Sequence, residues 1–122
     1  MIETSTLKFD DKGLLTAVIQ DDVNDEVLMV GFMNEEAVRR TLETRRVTYW
    51  SRSRQKYWIK GETSGFTQEL QSAYYDCDKD ALLLRVIQQG AACHEGYRSC
   101  FFRRIDEGDE PVIVAPQLVK PY

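Results

Sequence analysis

Apolar and polar residues near the start of the chain follow the pattern of two β-strands. Residues 14–20 and 26–32 are apolar, β-prone runs, and the acidic five-residue segment between them is typical of a turn. We therefore expect a β-hairpin over residues 14–32.

A helical period follows this hairpin. Asn34 is a residue type that caps helices, and two glutamates follow it directly, where the helix dipole favours negative charge. Ala37, Val38, Thr41 and Leu42 recur at helical spacing. This pattern predicts one α-helix over residues 35–44 with a single buried face.

The rest of the chain has mainly the pattern of strands. Further β-prone runs are present at residues 47–53, 56–60, 69–76, 81–88 and 99–104. One helix among seven strands indicates a single α+β domain with a curved, mostly antiparallel sheet. We expect this domain to cover residues 1–105. Residues 106–122, with four acidic residues and three prolines, should form an irregular or partner-wrapping extension.

The composition limits the chain to one domain. With 122 residues, 43% hydrophobic and 11% aromatic, it can bury a core but is too short for two ordinary domains. The N-terminus does not resemble a signal peptide, and no apolar run reaches the roughly 18 residues that span a membrane. We expect a cytoplasmic protein without a membrane partner, whose three cysteines are reduced thiols.

Charge is distributed unevenly along the chain. The formal net charge is -4, yet residues 45–60 contain six basic residues and no acidic one. Basic and aromatic residues are interleaved there: Arg45, Arg46, Tyr49, Trp50, Arg52, Arg54, Lys56, Tyr57, Trp58 and Lys60. Such a segment on an acidic protein favours a small phosphorylated aromatic ligand and argues against a nucleic-acid partner. The alternative is a strand whose basic side chains face water.

All three cysteines and the only histidine lie between residues 77 and 100. Cys77, Cys93 and Cys100 provide three thiolates without the paired Cys-x-x-Cys spacing of structural zinc sites. Three protein ligands leave one zinc position open, which is typical of a catalytic site, and His94 is adjacent to one of them. Alternatively, the cysteines are small apolar residues of a core.

The first cysteine lies among alternating aspartates. On an extended strand, Asp76, Asp78 and Asp80 would share one face and Cys77 would point to the other. Carboxylates suit Mg²⁺ and a thiolate suits Zn²⁺, so the segment could serve two metals. An EF-hand calcium loop is excluded, because its sixth and twelfth positions hold alanine and isoleucine. An acidic turn before a buried strand stays open as the alternative.

Residues 58–65 form a polar segment with two glycines. The glycines bracket the hydroxyl side chains of Thr63 and Ser64, so that backbone N–H groups could approach a phosphate closely. Lys60 would add positive charge. The segment matches no Walker A or dinucleotide-binding pattern, and it equally describes a polar loop between strands.

Together these segments resemble the successive motifs of one enzyme family. The motifs are Ser51-Arg52-Ser53-Arg54, Trp58-x-Lys60-Gly61-Glu62-Thr63-Ser64-Gly65, Asp76-Cys77-Asp78-x-Asp80-Ala81-Leu82-Leu83 and Cys93-His94-x-Gly96-x-x-Ser99-Cys100-Phe101. In order and spacing, over roughly residues 14–104, they resemble the phosphoribosyl-AMP cyclohydrolase family. The resemblance implies a zinc- and magnesium-dependent, intertwined homodimer. It also implies hydrolytic opening of the adenine ring of phosphoribosyl-AMP between N1 and C6, the third step of histidine biosynthesis.

The resemblance further implies roles for individual residues. Three thiolates would bind zinc across the dimer interface, and three carboxylates would bind magnesium: Cys77, Cys93 and Cys100, and Asp76, Asp78 and Asp80. Water activated on zinc would attack C6, and His94 is the candidate for moving the proton. The expected substrate-binding residues are Arg52, Arg54, Trp58, Lys60, Glu62, Thr63 and Ser64.

Two positions depart from the family pattern. Phe66 stands where the family often has histidine, and Ala91 stands where it often has proline. Neither position is an expected metal ligand. The alternative function is a non-catalytic, zinc-containing module that binds a nucleotide or single-stranded RNA through its arginine and tryptophan side chains.

Overall fold

A computed structural model describes residues 2–122. In chain order the elements are a 3₁₀ helix (Thr4–Thr6), β1 (Leu15–Asp21), β2 (Val27–Met33), α1 (Glu35–Thr44), β3 (Thr48–Ser51), β4 (Lys56–Ile59), β5 (Gln68–Tyr75), β6 (Ala81–Gln88), β7 (Arg103–Arg104) and β8 (Val112–Ile113). They form one four-stranded sheet and two two-stranded sheets. Within residues 2–122, no helix has the length and apolar character needed to cross a membrane.

The four-stranded sheet has the strand order β2-β1-β6-β5. β1 pairs with β2 and β5 pairs with β6 in antiparallel orientation, whereas the central pair of β1 and β6 is parallel. The register shifts between Ile19 and Gln20 and again between Leu70 and Ser72, and such irregularities bend a sheet. The predicted α+β class, with a mostly antiparallel sheet and one main helix, is confirmed.

The predicted hairpin is present as β1 and β2. Ala17 and Ile19 of β1 are fully buried and alternate with partly buried neighbours. The Asp21 carboxylate closes the turn by accepting hydrogen bonds from the N–H groups of Val23 (2.7 Å) and Asn24 (3.2 Å). A short acidic side chain favours a turn because it replaces partners that the backbone lacks there.

The helix α1 begins and ends where the sequence predicts. The Asn34 side chain caps it by accepting a 2.9 Å hydrogen bond from the N–H of Ala37. Arg45 ends it in the left-handed conformation, with φ 63°. The face toward β2 and β3 comprises Ala37, Val38 and Thr41, which are buried, and Leu42, which is partly buried.

The β3–β4 hairpin carries the aromatic residues. Tyr49 stacks on Trp58, with ring centroids 4.5 Å apart. Trp50 meets Tyr57 edge to face at 4.8 Å. Tyr49 is almost completely buried, and its hydroxyl donates a 2.6 Å hydrogen bond to Oε1 of Gln68 on β5. This bond joins the hairpin to the main sheet.

The prediction of a strand over residues 99–104 is wrong except at its end. Only β7 is extended, and it pairs with β8. Ser99 and Cys100 contact β2 outside any ladder: Ser99 Oγ donates to the carbonyl of Val27 (2.7 Å), and the Cys100 N–H donates to that of Leu28 (2.7 Å). A serine side chain that satisfies a backbone carbonyl in this way competes with regular strand pairing.

The extension at residues 106–122 folds back onto a loop at residues 91–98, which we call the Cys93 loop. Gln117 forms an isolated β-bridge with Tyr97. The N–H of Leu118 donates to the carbonyl of Gly96 (2.8 Å), and the N–H of Tyr122 donates to that of His94 (2.8 Å). The extension is therefore ordered against the body of the domain at this end.

Candidate active site

One cavity gathers most of the predicted site residues. It has a volume of about 740 Å³ and lies between the β3–β4 hairpin, the turn after β4, His94 and Tyr122. Its lining includes seven residues that the sequence predicts to bind or convert a substrate: Arg54, Trp58, Lys60, Glu62, Thr63, Ser64 and His94. The structure brings these side chains together, and their individual roles stay predictions.

The turn after β4 depends on glycine. Gly61 has a positive φ of 84°, and a Cβ there would lie 2.5 Å from the backbone nitrogen of Thr67. The N–H of Gly65 closes the turn onto the carbonyl of Gly61 (2.8 Å). Thr63 and Ser64 therefore line the cavity from a tight turn. The segment is both a loop between strands and a wall of the cavity, so each of the two sequence interpretations describes part of it.

Lys60 is buried in the cavity wall, with only 7% of its surface exposed. Its ammonium donates a 2.5 Å hydrogen bond to the carbonyl of Ala92 and lies 3.4 Å from the Tyr122 hydroxyl. Burial lowers the pKa of Lys60, and the neighbouring Cys100 and Cys93 thiols act in the opposite direction. A direct phosphate contact, the predicted role, would require the ammonium to give up the Ala92 carbonyl.

The thiols of Cys93 and Cys100 lie within hydrogen-bonding distance of each other. Cys93 is buried, and burial of the Cys100 thiol beside it raises the pKa of Cys100 to about 12. Two adjacent thiols repel each other as thiolates, and a divalent cation removes that repulsion. The donor set therefore fits zinc, with two ligands from one chain.

Cys77 lies apart from this pair, in a segment that we call the acidic turn (residues 76–80). The expectation of an extended strand here, with aspartates on one face and Cys77 on the other, is wrong. Lys79 has a positive φ of 65°, and its N–H donates to the carbonyl of Asp76 (3.0 Å). The Asp76 side chain is the physical reason, because it accepts the N–H groups of Asp80 (3.0 Å) and Ala81 (3.3 Å) and so stabilises a turn.

The side chains of the acidic turn are exposed. The Cys77 thiol donates a 2.8 Å hydrogen bond to Asp78, which raises the pKa of Cys77. A hydrogen bond with Asp76 raises the pKa of Asp80, as expected for two carboxyl groups that repel each other when charged. Asp78 and Asp80 line a second cleft of about 520 Å³ together with Asp10. Oxygen donors of this kind fit magnesium.

The predicted zinc ligands do not meet within one chain. In residues 2–122, no three His, Cys, Asp or Glu side chains are close enough to hold one metal ion. The fold places Cys93 beside Cys100 and leaves Cys77 exposed on the acidic turn. One chain thus supplies two of the three expected thiolates at one place.

Arg52 is separated from the other predicted substrate-binding residues. Its guanidinium stacks over the Phe32 ring at 3.9 Å, in a neighbouring cleft. Arg54 lines the main cavity instead. The two arginines do not share a strand face, because β3 ends at Ser51 and the chain turns before β4 begins.

Some residues of the cavity were missed by the sequence analysis. Ser51 and Ser53 belong to the first motif quoted above, but a hydroxyl side chain near a strand end carries no signal for a particular ligand. Tyr122 belongs to the extension, where neither periodicity nor a motif pointed to a site. Its position in the cavity follows only from the folding back of that extension.

The fold and the cavity are those of a small α+β enzyme, and known proteins identify its family. The sequence model of the phosphoribosyl-AMP cyclohydrolase family matches residues 29–102. The phosphoribosyl-AMP cyclohydrolase of Paracoccus denitrificans is 56% identical over 117 residues, which cover 96% of this chain and 97% of the relative. The protein of that name from Bifidobacterium adolescentis is 62% identical over 109 residues, covering 88% of this chain and 78% of the relative.

An archaeal relative extends this similarity. The phosphoribosyl-AMP cyclohydrolase of Methanococcoides burtonii is 56% identical over 109 residues, covering 89% of both chains. The chain belongs to the phosphoribosyl-AMP cyclohydrolase family, which confirms the resemblance of its motifs. It is therefore an enzyme, and the alternative of a non-catalytic binding module is not supported.

Proposed function

We propose that this enzyme opens the adenine ring of phosphoribosyl-AMP by hydrolysis of the N1–C6 bond, the third step of histidine biosynthesis. The observation that carries the proposal is the position of the Cys93–Cys100 thiol pair beside a cavity lined by basic, hydroxyl and aromatic side chains. The cavity volume of about 740 Å³ lies within the range of small-molecule sites. Relatives at 56% and 62% identity carry the corresponding name.

The proposed zinc site takes Cys93 and Cys100 from one chain and Cys77 from a second chain. Cys77 is exposed, so another chain can reach it, and the thiol pair has no third ligand among residues 2–122 of its own chain. The enzyme is then a homodimer with two equivalent sites. Zinc bound there would supply a Lewis acid that makes water a stronger nucleophile near neutral pH. All three cysteines are free thiols, as a zinc site in the reducing cytoplasm requires.

His94 is the group proposed to move the proton. It is exposed, lines the cavity and follows Cys93 directly in the chain. An imidazole both accepts and donates a proton near neutral pH. His94 takes a proton from the attacking water as its oxygen bonds to C6. The C6–N1 bond then breaks and His94 returns the proton to N1, so the reaction consumes one water and no other reactant.

Other cavity residues bind and orient the substrate. The Trp58 ring, supported by the stacked ring of Tyr49, offers an aromatic surface to the adenine ring. Arg54 and the hydroxyls of Thr63 and Ser64 provide hydrogen-bond donors for a phosphate group. Magnesium held by carboxylates of the acidic turn would neutralise phosphate charge.

A spectroscopic assay of ring opening tests this function directly. Zinc-loaded protein with added magnesium should convert phosphoribosyl-AMP. It should retain about one zinc per chain after dialysis, because thiolates bind zinc far more tightly than magnesium. Magnesium should be lost on dialysis and should restore activity when returned. Turnover by protein that contains no zinc, or no turnover by protein that contains both metals, would contradict the proposal.

A further inference from the structure

Tyr122 enters the cavity from a part of the chain that the mechanism above does not use. Its ring lines the cavity and meets the Phe66 ring edge to face, with centroids 5.3 Å apart. Its hydroxyl donates a 2.8 Å hydrogen bond to the carbonyl of Ala91 and lies 3.4 Å from the Lys60 ammonium. Its backbone N–H donates to the carbonyl of His94 (2.8 Å). One residue thus contacts the Cys93 loop at two points.

These contacts fix the backbone on both sides of Cys93. The Tyr122 hydroxyl holds the carbonyl of Ala91, the Lys60 ammonium holds that of Ala92, and the Tyr122 N–H holds that of His94. Ala91 and Ala92 are almost completely buried. Water therefore cannot readily replace a lost donor at their carbonyls, and the loss of one would be felt in the loop.

The docking of residues 117–122 is specific. Gly96 has a positive φ of 91°, and a Cβ there would overlap the carbonyl oxygen of Val119. The N–H groups of Leu118 (2.8 Å) and Val119 (3.2 Å) both donate to the carbonyl of Gly96. The Gln117 side chain donates to the carbonyl of Glu95 (2.8 Å). The segment that carries Tyr122 thus has a defined place on the Cys93 loop.

We propose that Tyr122 is a positioning residue that holds the Cys93 loop, and with it His94, in the orientation that ring opening requires. The hydroxyl acts through the Ala91 carbonyl and the Lys60 ammonium, and the ring closes one side of the substrate cavity. The catalytic part of this inference rests on the proposed function. The holding of the loop does not depend on which substrate binds.

Two substitutions separate the hydroxyl from the ring. Tyr122→Phe should lower kcat about five- to tenfold, the scale of one lost hydrogen bond, with KM changed less than about twofold because the cavity wall is kept. Tyr122→Ala should lower kcat to a similar extent and also raise KM by at least about fivefold, because the wall is lost. Tyr74→Phe is the matched control, since Tyr74 is exposed on β5 and does not line this cavity.

Amide hydrogen exchange of the protein as purified gives a readout that needs no substrate. The N–H groups of Ala92 and Cys93 donate across the loop to the carbonyls of Arg98 (3.0 Å) and Tyr97 (3.1 Å), so their exchange reports opening of the Cys93 loop. Tyr122→Phe should speed this exchange about five- to tenfold relative to the control and leave the amides of β1 and β6 unchanged.

The outcomes decide between positioning and a general structural role. Unchanged exchange in the loop, unchanged kcat, or equal acceleration in the loop and in the sheet would each overturn the proposal. If the unsubstituted protein does not open the ring of phosphoribosyl-AMP, the proposed function fails. The exchange rates would then still show whether Tyr122 holds the loop.

Discussion

The carbonyl oxygen of Val119 occupies the space that a side chain on Gly96 would need. Gly96 also has a φ of 91°, which residues with a side chain rarely adopt. The glycine of the Cys93-His94-x-Gly96 motif therefore allows the extension to pack directly on the backbone of the Cys93 loop. This contact is what brings Tyr122 to the cavity.

Replacing Gly96 by alanine should displace residues 117–122 from the loop. The unfavourable φ and the overlap with the Val119 backbone together should lower the free energy of unfolding by about 2 kcal/mol or more. Urea denaturation measures this change, and hydrogen exchange at the Leu118 amide reports the local release. Gly108→Ala is the control, because a Cβ at Gly108 meets no atom within 4 Å. Equal stability of the two variants would contradict the packing argument.

Replacing His94 by alanine tests the proposed proton transfer. kcat should fall by roughly 10² to 10⁴, the range for a lost general acid or base. Zinc content and fold should be unchanged, since His94 is exposed and is not an expected ligand. Metal analysis in parallel with kinetics separates the two roles. Loss of zinc together with activity would make His94 a ligand, and full activity with zinc bound would remove it from the mechanism.

A zinc site built from two chains predicts complementation between cysteine variants. Homodimers of Cys77→Ala and of Cys93→Ala should each be inactive, because both of their sites lack a thiolate. Unfolding and refolding an equal mixture should give about half mixed dimers, in which one site of two is complete, and hence roughly a quarter of the unsubstituted activity. A mixture that stays inactive although mixed dimers are verified would rule out the shared site.

The two arginines of the first motif should differ in their effect on substrate binding. Arg54 lines the cavity, whereas Arg52 stacks on Phe32 in the neighbouring cleft. Arg54→Ala should raise KM about tenfold or more, as expected for a lost charge-assisted hydrogen bond. Arg52→Ala, the matched control, should raise it less than about threefold. Steady-state kinetics would contradict this assignment if the two variants behaved alike.

The buried hydrogen bond between Tyr49 and Gln68 should contribute to stability. Tyr49→Phe leaves Oε1 of Gln68 without its 2.6 Å donor in the core, so the free energy of unfolding should fall by about 1–3 kcal/mol. Tyr75→Phe is the control, because Tyr75 is exposed on β5. Urea denaturation near pH 7 measures the difference. A Tyr49→Phe protein as stable as the control would contradict this role.

The same pair of proteins predicts a dependence on pH. Burial raises the pKa of Tyr49 well above its usual value, so above about pH 10 the unfolded chain loses this proton while the folded chain keeps it. The folded state then binds more protons, and stability falls as pH rises. Tyr49→Phe lacks this loss. Its deficit relative to the unsubstituted protein should therefore shrink between pH 8 and pH 10.5, and a constant deficit would contradict the shift.

Local features of the fold could be predicted from the sequence. The hairpin of β1 and β2 and the boundaries of α1 follow from turn residues, an Asn34 cap and hydrophobic periodicity, all of which act within a few residues of one another. The strand over residues 99–104 failed because a side chain of Ser99 pairs with β2, a contact that the local pattern does not contain.

The sequence by itself also determined the family, because its motifs are specific in residue type and order. Only the tertiary structure decided how those motifs meet. It separated Cys77 from the Cys93–Cys100 pair, turned Arg52 away from Arg54 and brought Tyr122 to Lys60. These relationships depend on packing between residues that are far apart in the chain or on the backbone conformation of a turn, and hydrophobic periodicity records neither.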